Sequence, residues 1–437
     1  MWRDAGDGTE GRSLFPKLVA RRNASPQTVA AHQRARLHAA MIEACSRDGY
    51  ASTTVRELIA LAGVSPTTLY RHFDGKEDCF LATFDLVVAE AVARIASAYG
   101  AAPQGGDRDW TAGLCRAFDA FVEELLLRPK ASRLAVVEVL AVGSPALKRI
   151  ERAEVSFVQM IATSLARAPE PRPLPPLITR GLVGGIWFVA RRRLREERPL
   201  ALSACGRELL DWMLAYPAVA TGDLTAAAPR ADWKLGKSCL ERFPSDPRSR
   251  MLRAAVELAA AHGFGALGEG GIAERAEVDP ARFAAEFESA GDCFFAALEM
   301  LTAQALARAL RESERARDWP AAVCGAVRSL LCQLAADPIL AHVIFVASSE
   351  AGGAGSEHCE ALVEAFAGVF VRRAPVEHRP STLAAEAIIG AAWSILHRYV
   401  NSGRAGRLPA LSAPLSYIAL APILGPEEVM DQCHDFI

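Results

Sequence analysis

The sequence predicts an all-α protein of two tandem units, each a three-helix helix-turn-helix head followed by a helical bundle. Three observations carry that prediction. Apolar residues recur at helical spacing almost throughout, and alternating β-branched runs are nearly absent. Ala, Leu, Arg and Glu dominate, which is the composition of a helix-rich chain. The chain also repeats itself: a shift of 214 residues lays 36–82 on 250–296 without a gap. That shift pairs Glu43 with Glu257, Gly49 with Gly263, Pro66 with Pro280, Phe73 with Phe287, and Asp78-Cys79-Phe80 with Asp292-Cys293-Phe294. A weaker echo follows at an offset of 206 to 209, where "LVGGIW" (182–187) meets "IIGAAW" (388–393) and Pro129 meets Pro338.

Residues 25–98 read as four helices, the first three forming the head. Ser25 caps the first, with Pro26 at its first position. Its apolar stripe is Leu37, Met41, Ala44 and Cys45, and Asp48-Gly49 stops it. The second opens on Thr54-Val55-Arg56-Glu57, a capping box, and buries Val55, Leu58, Ile59 and Ala62. After the Gly63-Val64 turn, Ser65 caps a short third helix, "PTTLYRHF", whose only inward residues are Leu69 and Phe73. Asp74-Gly75 ends it, and a fourth helix runs from about Lys76 to Ala98 with Phe80, Phe84, Val87, Ala91 and Ile95 inward. Two short helices joined by a glycine turn form a helix-turn-helix. The third helix keeps few residues for the core and many for solvent, as a helix lying in a DNA major groove would. Thr67 and Thr68 stand at its N-terminal end, where side chains reach base edges. Arg71 can bond a guanine edge or a phosphate, and Tyr70 and His72 carry polar tips at backbone height. Lys76 opens the next helix, where its charge and the free amides favour a phosphate.

The stretch "TTVRELIALAGVSPTTLYRHFDGKEDCF" resembles the DNA-binding domain of TetR-type transcriptional regulators, matching their L-Y-x-H-F and Lys-Glu positions with Leu69, Tyr70, His72, Phe73, Lys76 and Glu77. The resemblance covers about residues 30–95. It implies a DNA head, a variable ligand-binding domain behind it, and dimerisation through the last two helices of that domain. Carried onto the matching positions, it makes Thr67, Thr68, Tyr70, Arg71, His72 and Lys76 the DNA-contacting set, to which Thr54, Arg56 and Ser65 at the helix starts are added. Lys17, Arg21, Arg22, Arg34 and Arg36 form a basic arm that either adds phosphate or minor-groove contacts or is simply solvated.

The second head keeps its inside and loses its outside. Met251, Leu258, Ile272, Ala276, Phe283, Phe287, Phe294 and Leu298 preserve the inward pattern. Outward, Thr67, Thr68, Tyr70, Arg71, His72 and Lys76 become Ala281, Arg282, Ala284, Ala285, Glu286 and Ala290. Residues 65–74 are net neutral, whereas 279–288 carry a net charge of −2. Carboxylates facing phosphates remove the electrostatic term of DNA affinity. The second head is therefore expected to fold as a helix-turn-helix without binding DNA. Its "GFGALG" (263–268) fits G-x-G-x-x-G but follows a helix and is expected to be a turn.

The resulting division is 1–100, basic arm and active DNA-binding head; 101–220, helical ligand-binding and dimerisation domain; 221–247, linker; 248–318, degenerate head; 319–437, second helical effector-like domain. Small residues in "GLVGGIW" (181–187) and "IIGAAW" allow close helix approach and suit a bundle interface. Aromatics in the two bodies, among them Phe118, Phe121, Phe157 and Trp187 in the first and Phe345, Phe366, Phe370 and Trp393 in the second, read as core.

The 437 residues allow several cores, and a net charge of −2 means that any basic surface is local. Ten cysteines without a C-x-x-C pair read as free buried thiols, with no metal or cofactor expected. No catalytic motif stands out, so no enzyme is expected. The polar N-terminus reads as no signal peptide. The most apolar runs, 181–190 and 339–347, have about half the length that spans a bilayer, so a cytoplasmic protein without membrane partners is expected. The combined expectation is a ligand-responsive repressor that reads operator DNA, binds a small apolar effector, and pairs either as a homodimer or as an intrachain pseudo-dimer. The alternative is a ligand-binding or protein-interaction module with residual DNA binding.

Overall fold

The computed structural model describes residues 25–101, 110–171, 173–195, 199–219, 224, 238–425 and 428–429. Every regular element among them is helical. The first half contains α1 (Pro26–Ser52), α2 (Val55–Ala62), α3 (Pro66–His72), α4 (Lys76–Gly100), α5 (Ala112–Leu127), α6 (Pro129–Val136), α7 (Ser144–Ala166), α8 (Pro176–Arg195) and α9 (Pro199–Leu214). The second contains α10 (Pro247–His262), α11 (Glu269–Ala276), α12 (Pro280–Glu286), α13 (Ala290–Ser313), α14 (Trp319–Ala336), α15 (Pro338–His342), α16 (Ser348–Glu350), α17 (Gly352–Arg373), α18 (Thr382–Asn401) and α19 (Ser412–Leu424). Helices α2 and α11 each have 8 residues and α3 and α12 each have 7, so the turn geometry recurs at the spacing of the sequence repeat.

The helix starts follow their caps. Ser25, Thr54 and Ser65 accept from the amides of Thr28, Glu57 and Thr68, and Asp246 and Asp279 do the same for α10 and α12. The capping box at Thr54 is only half formed, because the Glu57 carboxylate turns away to pair with Arg47. Gly49 bends α1 with φ +77, and Gly263 ends α10 with φ +81. Gly63 closes α2 in the left-handed region, where the repeat places Glu277 with φ 53. Among the described residues Glu277 is the one non-glycine at positive φ, a conformation that costs an L-residue roughly 1–2 kcal/mol.

Each head is tied to its body by the same bond. The buried Glu138 carboxylate accepts from Tyr50 N at 2.9 Å, and Glu350 accepts from Phe264 N at 2.9 Å. The cores are divided unequally. Leu37, Met41, Leu58, Leu69, Phe73, Phe80 and Phe84 pack with Leu134 and Val139 in a cluster of their own. A second cluster runs continuously through the remaining helices, including the second head with Phe283, Phe287 and Phe294.

Helices α8 and α18 form the largest helix–helix contact of the chain. The small residues singled out in the sequence lie in this seam. A Cβ on Gly390 would stand 2.7 Å from Phe188 Cβ, and one on Gly184 or Gly185 would overlap Ser394 or the Ala387 carbonyl. The contacts are reciprocal. Tyr216 Oη donates to Ile418 O at 2.8 Å, and Tyr417 Oη donates to Pro217 O at 2.5 Å. The ion pairs follow this only in outline: Arg398 pairs with Glu151 and Glu154 of α7, while Arg195, one turn beyond the Arg192 that matches Arg398, pairs with Glu357 and Glu360 of α17. Residue i meeting j′ while j meets i′ is the pattern of a two-fold interface.

Three expectations need correction. Beyond the short apolar runs at 181–190 and 339–347, three helices, Ala290–Ser313, Trp319–Ala336 and Ala405–Leu424, are long and apolar enough by length and composition to cross a membrane. Trp319–Ala336 packs against both of the others, and Ala405–Leu424 also packs against α18. Arg34 and Arg36 do not belong to a loose arm. Both lie in α1, where Arg36 is buried and donates to Gly63 O at 2.9 Å and Arg34 lies over the Phe73 ring. Lys17, Arg21 and Arg22 lie outside the described residues, as does most of 221–237. Within the expected linker, Cys239 is buried and its amide donates to Asp337.

Candidate nucleic-acid interface

Leu69 and Phe73, on consecutive turns of α3, are buried and lock that helix to α1. The opposite face is open. Thr67, Tyr70 and Arg71 are exposed, Tyr70 by 58%, which is high for an aromatic without a partner. Arg71 and, on α2, Arg56 make no ion pair among the described residues, so both charges are available to an outside anion. Thr54 and Ser65 are exposed at the first positions of their helices, with their side-chain oxygens held by the caps.

The other three candidates are placed differently from the sequence expectation. Thr68 is buried, and its hydroxyl meets Ser65 Oγ at 2.9 Å, so it braces the start of α3 instead of facing outward. His72 is half-buried, 3.3 Å from Gln33 Oε1, and its pKa is lowered by burial and then by Arg34 and Arg71. It is a neutral group at neutral pH. Lys76 spends its ammonium on Tyr50 O (3.0 Å) and Ala51 O (3.4 Å) and lies over the Tyr50 ring at 4.3 Å. Burial lowers its pKa. That lysine fastens the α1–α2 corner, and the free amides at the start of α4 remain for a phosphate.

Among the described residues, the corresponding face of α12 has no free cation. Arg282 pairs with Glu286 at 3.4 Å, and Arg248 reaches the same carboxylate at 3.6 Å.

The two helical bodies differ in their interiors. In the first, Phe118, Phe121, Phe157 and Trp187 pack edge to face or tilted with centroids 6.1–6.4 Å apart, leaving a space of about 40 Å³. In the second, helices α13, α14, α17 and α18 line a half-open apolar cavity of about 200 Å³ that includes Val327, Leu330, Val363, Phe366 and Trp393. The repeat offsets explain the difference. Ile95, Phe118, Phe121 and Phe157 of the first half correspond to Ala309, Val327, Leu330 and Val363, four smaller side chains around one place, while Met160 to Phe366 and Val183 to Ile389 run the other way.

Seven of the nine described cysteines are buried and none is bonded. Burial pushes the Cys45 and Cys79 thiols up to about 12, so they behave as small apolar fillers.

Among solved structures, the chain is similar to the fatty acid degradation regulator FadR from Bacillus halodurans, with 16% identity over 44% of this chain and 96% of that one and a TM-score of 0.37. It is also similar to a TetR family transcription regulator from Marinobacter aquaeolei VT8, with 22% identity, 40% and 95% coverage and a TM-score of 0.32. No curated protein matches the chain. Residues 37–83, which hold α2, α3 and the end of α1 with its bend, match the family model of bacterial regulatory proteins of the tetR family, and this match supports a DNA-binding transcription regulator.

Proposed function

We propose that this protein is a ligand-responsive repressor that reads operator DNA with its first head alone, as a soluble cytoplasmic regulator built of two tandem units. The observation that carries the reading is the contrast between α3 and α12. One exposes Thr67, Tyr70 and Arg71 on a helix clamped from behind, and the other holds its single arginine in an ion pair with Glu286. Thr54, Arg56, Ser65 and the α4 amides form the phosphate-facing rim, Thr68 and Lys76 support the reading surface from behind, and His72 flanks it.

The reciprocal contacts of α8 with α18, and of Tyr216 with Tyr417, support pairing of the two units within one chain. In that arrangement the second unit occupies the seat a partner subunit would take, so a single chain is a pseudo-dimer with one reading head. The apolar character of α13 and α14 follows from the cavity they line.

Genome-wide footprint mapping with the wild type and a Tyr70→Ala/Arg71→Ala variant tests the DNA assignment. The footprints are expected to vanish in the variant, and identical footprints would sink it. Light scattering tests the pairing, which requires the mass of one chain, 46.8 kDa.

A further inference from the structure

The second unit has lost the charges of a DNA reader yet holds the larger cavity, and its cavity wall leads toward the first head. Phe345, whose ring lies 4.6 Å from that of Trp393, belongs to a π-helical turn, Val343–Ala347. Such a turn is a local alternative to α-helix, recurrent at functional sites. Its carbonyls are held by two hydroxyls, Ser348 Oγ donating to Ile344 O at 2.5 Å and Ser349 Oγ to Phe345 O at 2.9 Å. One turn further on, Gly352 lies against the first half, where a Cβ built on it would be 3.7 Å from Ala141 and 3.8 Å from Ala51. Ala51 is in the corner that Lys76 fastens, and Ala141 lies in the 138–142 segment whose Glu138 holds Tyr50. The cavity wall of the second half thus reaches the DNA head of the first in about two helical turns. That head shares with α6 and the 138–142 segment a core separate from the larger one, so this group can shift without opening the larger core.

We propose that the chain separates reading from sensing: the effector seat lies in the second half alone, and its occupancy passes through the Val343–Ala347 turn and the Gly352 contact to the first head. This rests on the DNA-reading function proposed above. The seat takes an apolar molecule ending in one carboxylate. Its two wall hydroxyls, Thr302 and Ser313, already donate to Leu298 O and Leu310 O. The one charged lining residue, Arg373, is exposed at the edge and has no ion pair among the described residues. The matching space in the first half is filled with rings.

Decanoate and decanol serve as probes, with titration calorimetry on the full chain. Decanoate is expected to bind the wild type with one site per chain and at least about tenfold more tightly than decanol. Val327→Phe/Leu330→Phe, which installs the ring types of Phe118 and Phe121, abolishes binding, as does the milder Ala309→Ile, which installs the Ile95 type. Two sites per chain, equal affinity for the alcohol, or undiminished binding in the filled variants would overturn the seat. For transmission, duplexes selected from random-sequence DNA by the wild type are bound with and without decanoate. DNA affinity should fall at least about fivefold, the lower end of typical coupling. The filled variants should keep their DNA affinity and lose the response. Ser349→Ala should hold decanoate within about twofold of wild type and lose most of the response. Decanoate binding without any change at the DNA, or an intact response in Ser349→Ala, refutes the route. Failure to select any duplex refutes the DNA reading and the transmission with it, leaving calorimetry to decide the seat.

Discussion

The seam between α8 and α18 makes a prediction whose sign depends on where a glycine sits. Gly390 faces Phe188, and an added Cβ would stand 2.7 Å from Phe188 Cβ and 2.8 Å from its Cγ. Carbon atoms pack at about 3.5–4.0 Å, so the helices would have to separate by about 1 Å. Phe188 is buried, and a Cβ cannot rotate away as a side-chain tip can. Overpacking of this kind costs about 1–3 kcal/mol. Against it stands the gain of about 1 kcal/mol from replacing a helical glycine by alanine. Gly325, inside α14, isolates that gain, because a Cβ there meets nothing within 4 Å. Gly325→Ala is therefore expected to raise stability by about 1 kcal/mol. Gly390→Ala should fall below Gly325→Ala by about 1–3 kcal/mol, because the helix-propensity gain cancels in the comparison. Urea denaturation followed by far-ultraviolet circular dichroism measures both midpoints, with the slopes checked for equality. If Gly390→Ala gains as much as Gly325→Ala, the close register of α8 on α18 is wrong.

Three further outcomes rest on single side chains. Glu277→Gly relieves the left-handed strain that Gly63 avoids in the first half and should raise the unfolding free energy by up to about 1 kcal/mol, net of glycine's own flexibility, seen as a higher urea midpoint; a lower midpoint would show that the strain is absent. Thr68→Ala should lose about 1 kcal/mol of stability, as loss of a helix-start bond does, and leave the salt dependence of DNA binding unchanged, whereas Arg71→Ala should lower the salt slope by about one. His38 is buried with Nδ1 2.8 Å from Thr83 Oγ1, and burial, then Arg34 and His72, lower its pKa to about 4. The unfolded chain, with an ordinary imidazole near 6.5, binds that proton first, so stability should decline as pH falls from about 6.5 to about 4. His397, lowered to about 4 chiefly by burial, acts over the same window, so His38→Asn should lessen the decline without abolishing it, and an unchanged profile would show that His38 does not contribute.

The first head was largely legible because its signals are local. Ser25, Thr54 and Ser65 cap where their spacing implies, and the inward positions of α3 are Leu69 and Phe73. Polar side chains were less legible, since Thr68 and Lys76 could face either DNA or their own fold until the corner at Tyr50 and Ala51 was in place. The small residues of 181–187 and 388–393 marked an interface, but not that each is the other's partner, because packing across some 200 residues leaves no trace in local spacing. The two carboxylates that tie heads to bodies, Glu138 and Glu350, lie in unremarkable helical sequence. The cavity was visible only as four side chains that shrink around one point, and those come from helices far apart in the chain. The three bilayer-length helices escaped because their hydropathy is spread over alanine-rich windows and not concentrated in runs.

Because α8 meets α18 inside a single polypeptide, the pairing does not depend on dilution. Two separate subunits fall apart when their concentration drops below the dissociation constant, and they exchange partners with any relative that shares the interface. A tethered pair feels a fixed local concentration, set by the connecting chain. Such a regulator keeps its paired form at a few copies per cell and cannot be poisoned by mixed assembly. The covalent join also releases the two sides from sharing every mutation. In a homodimer a substitution appears in both subunits, so a change that suits one role must be tolerated in the other. Here Glu286 and Ala309 can stand on one side while His72 and Ile95 stand on the other.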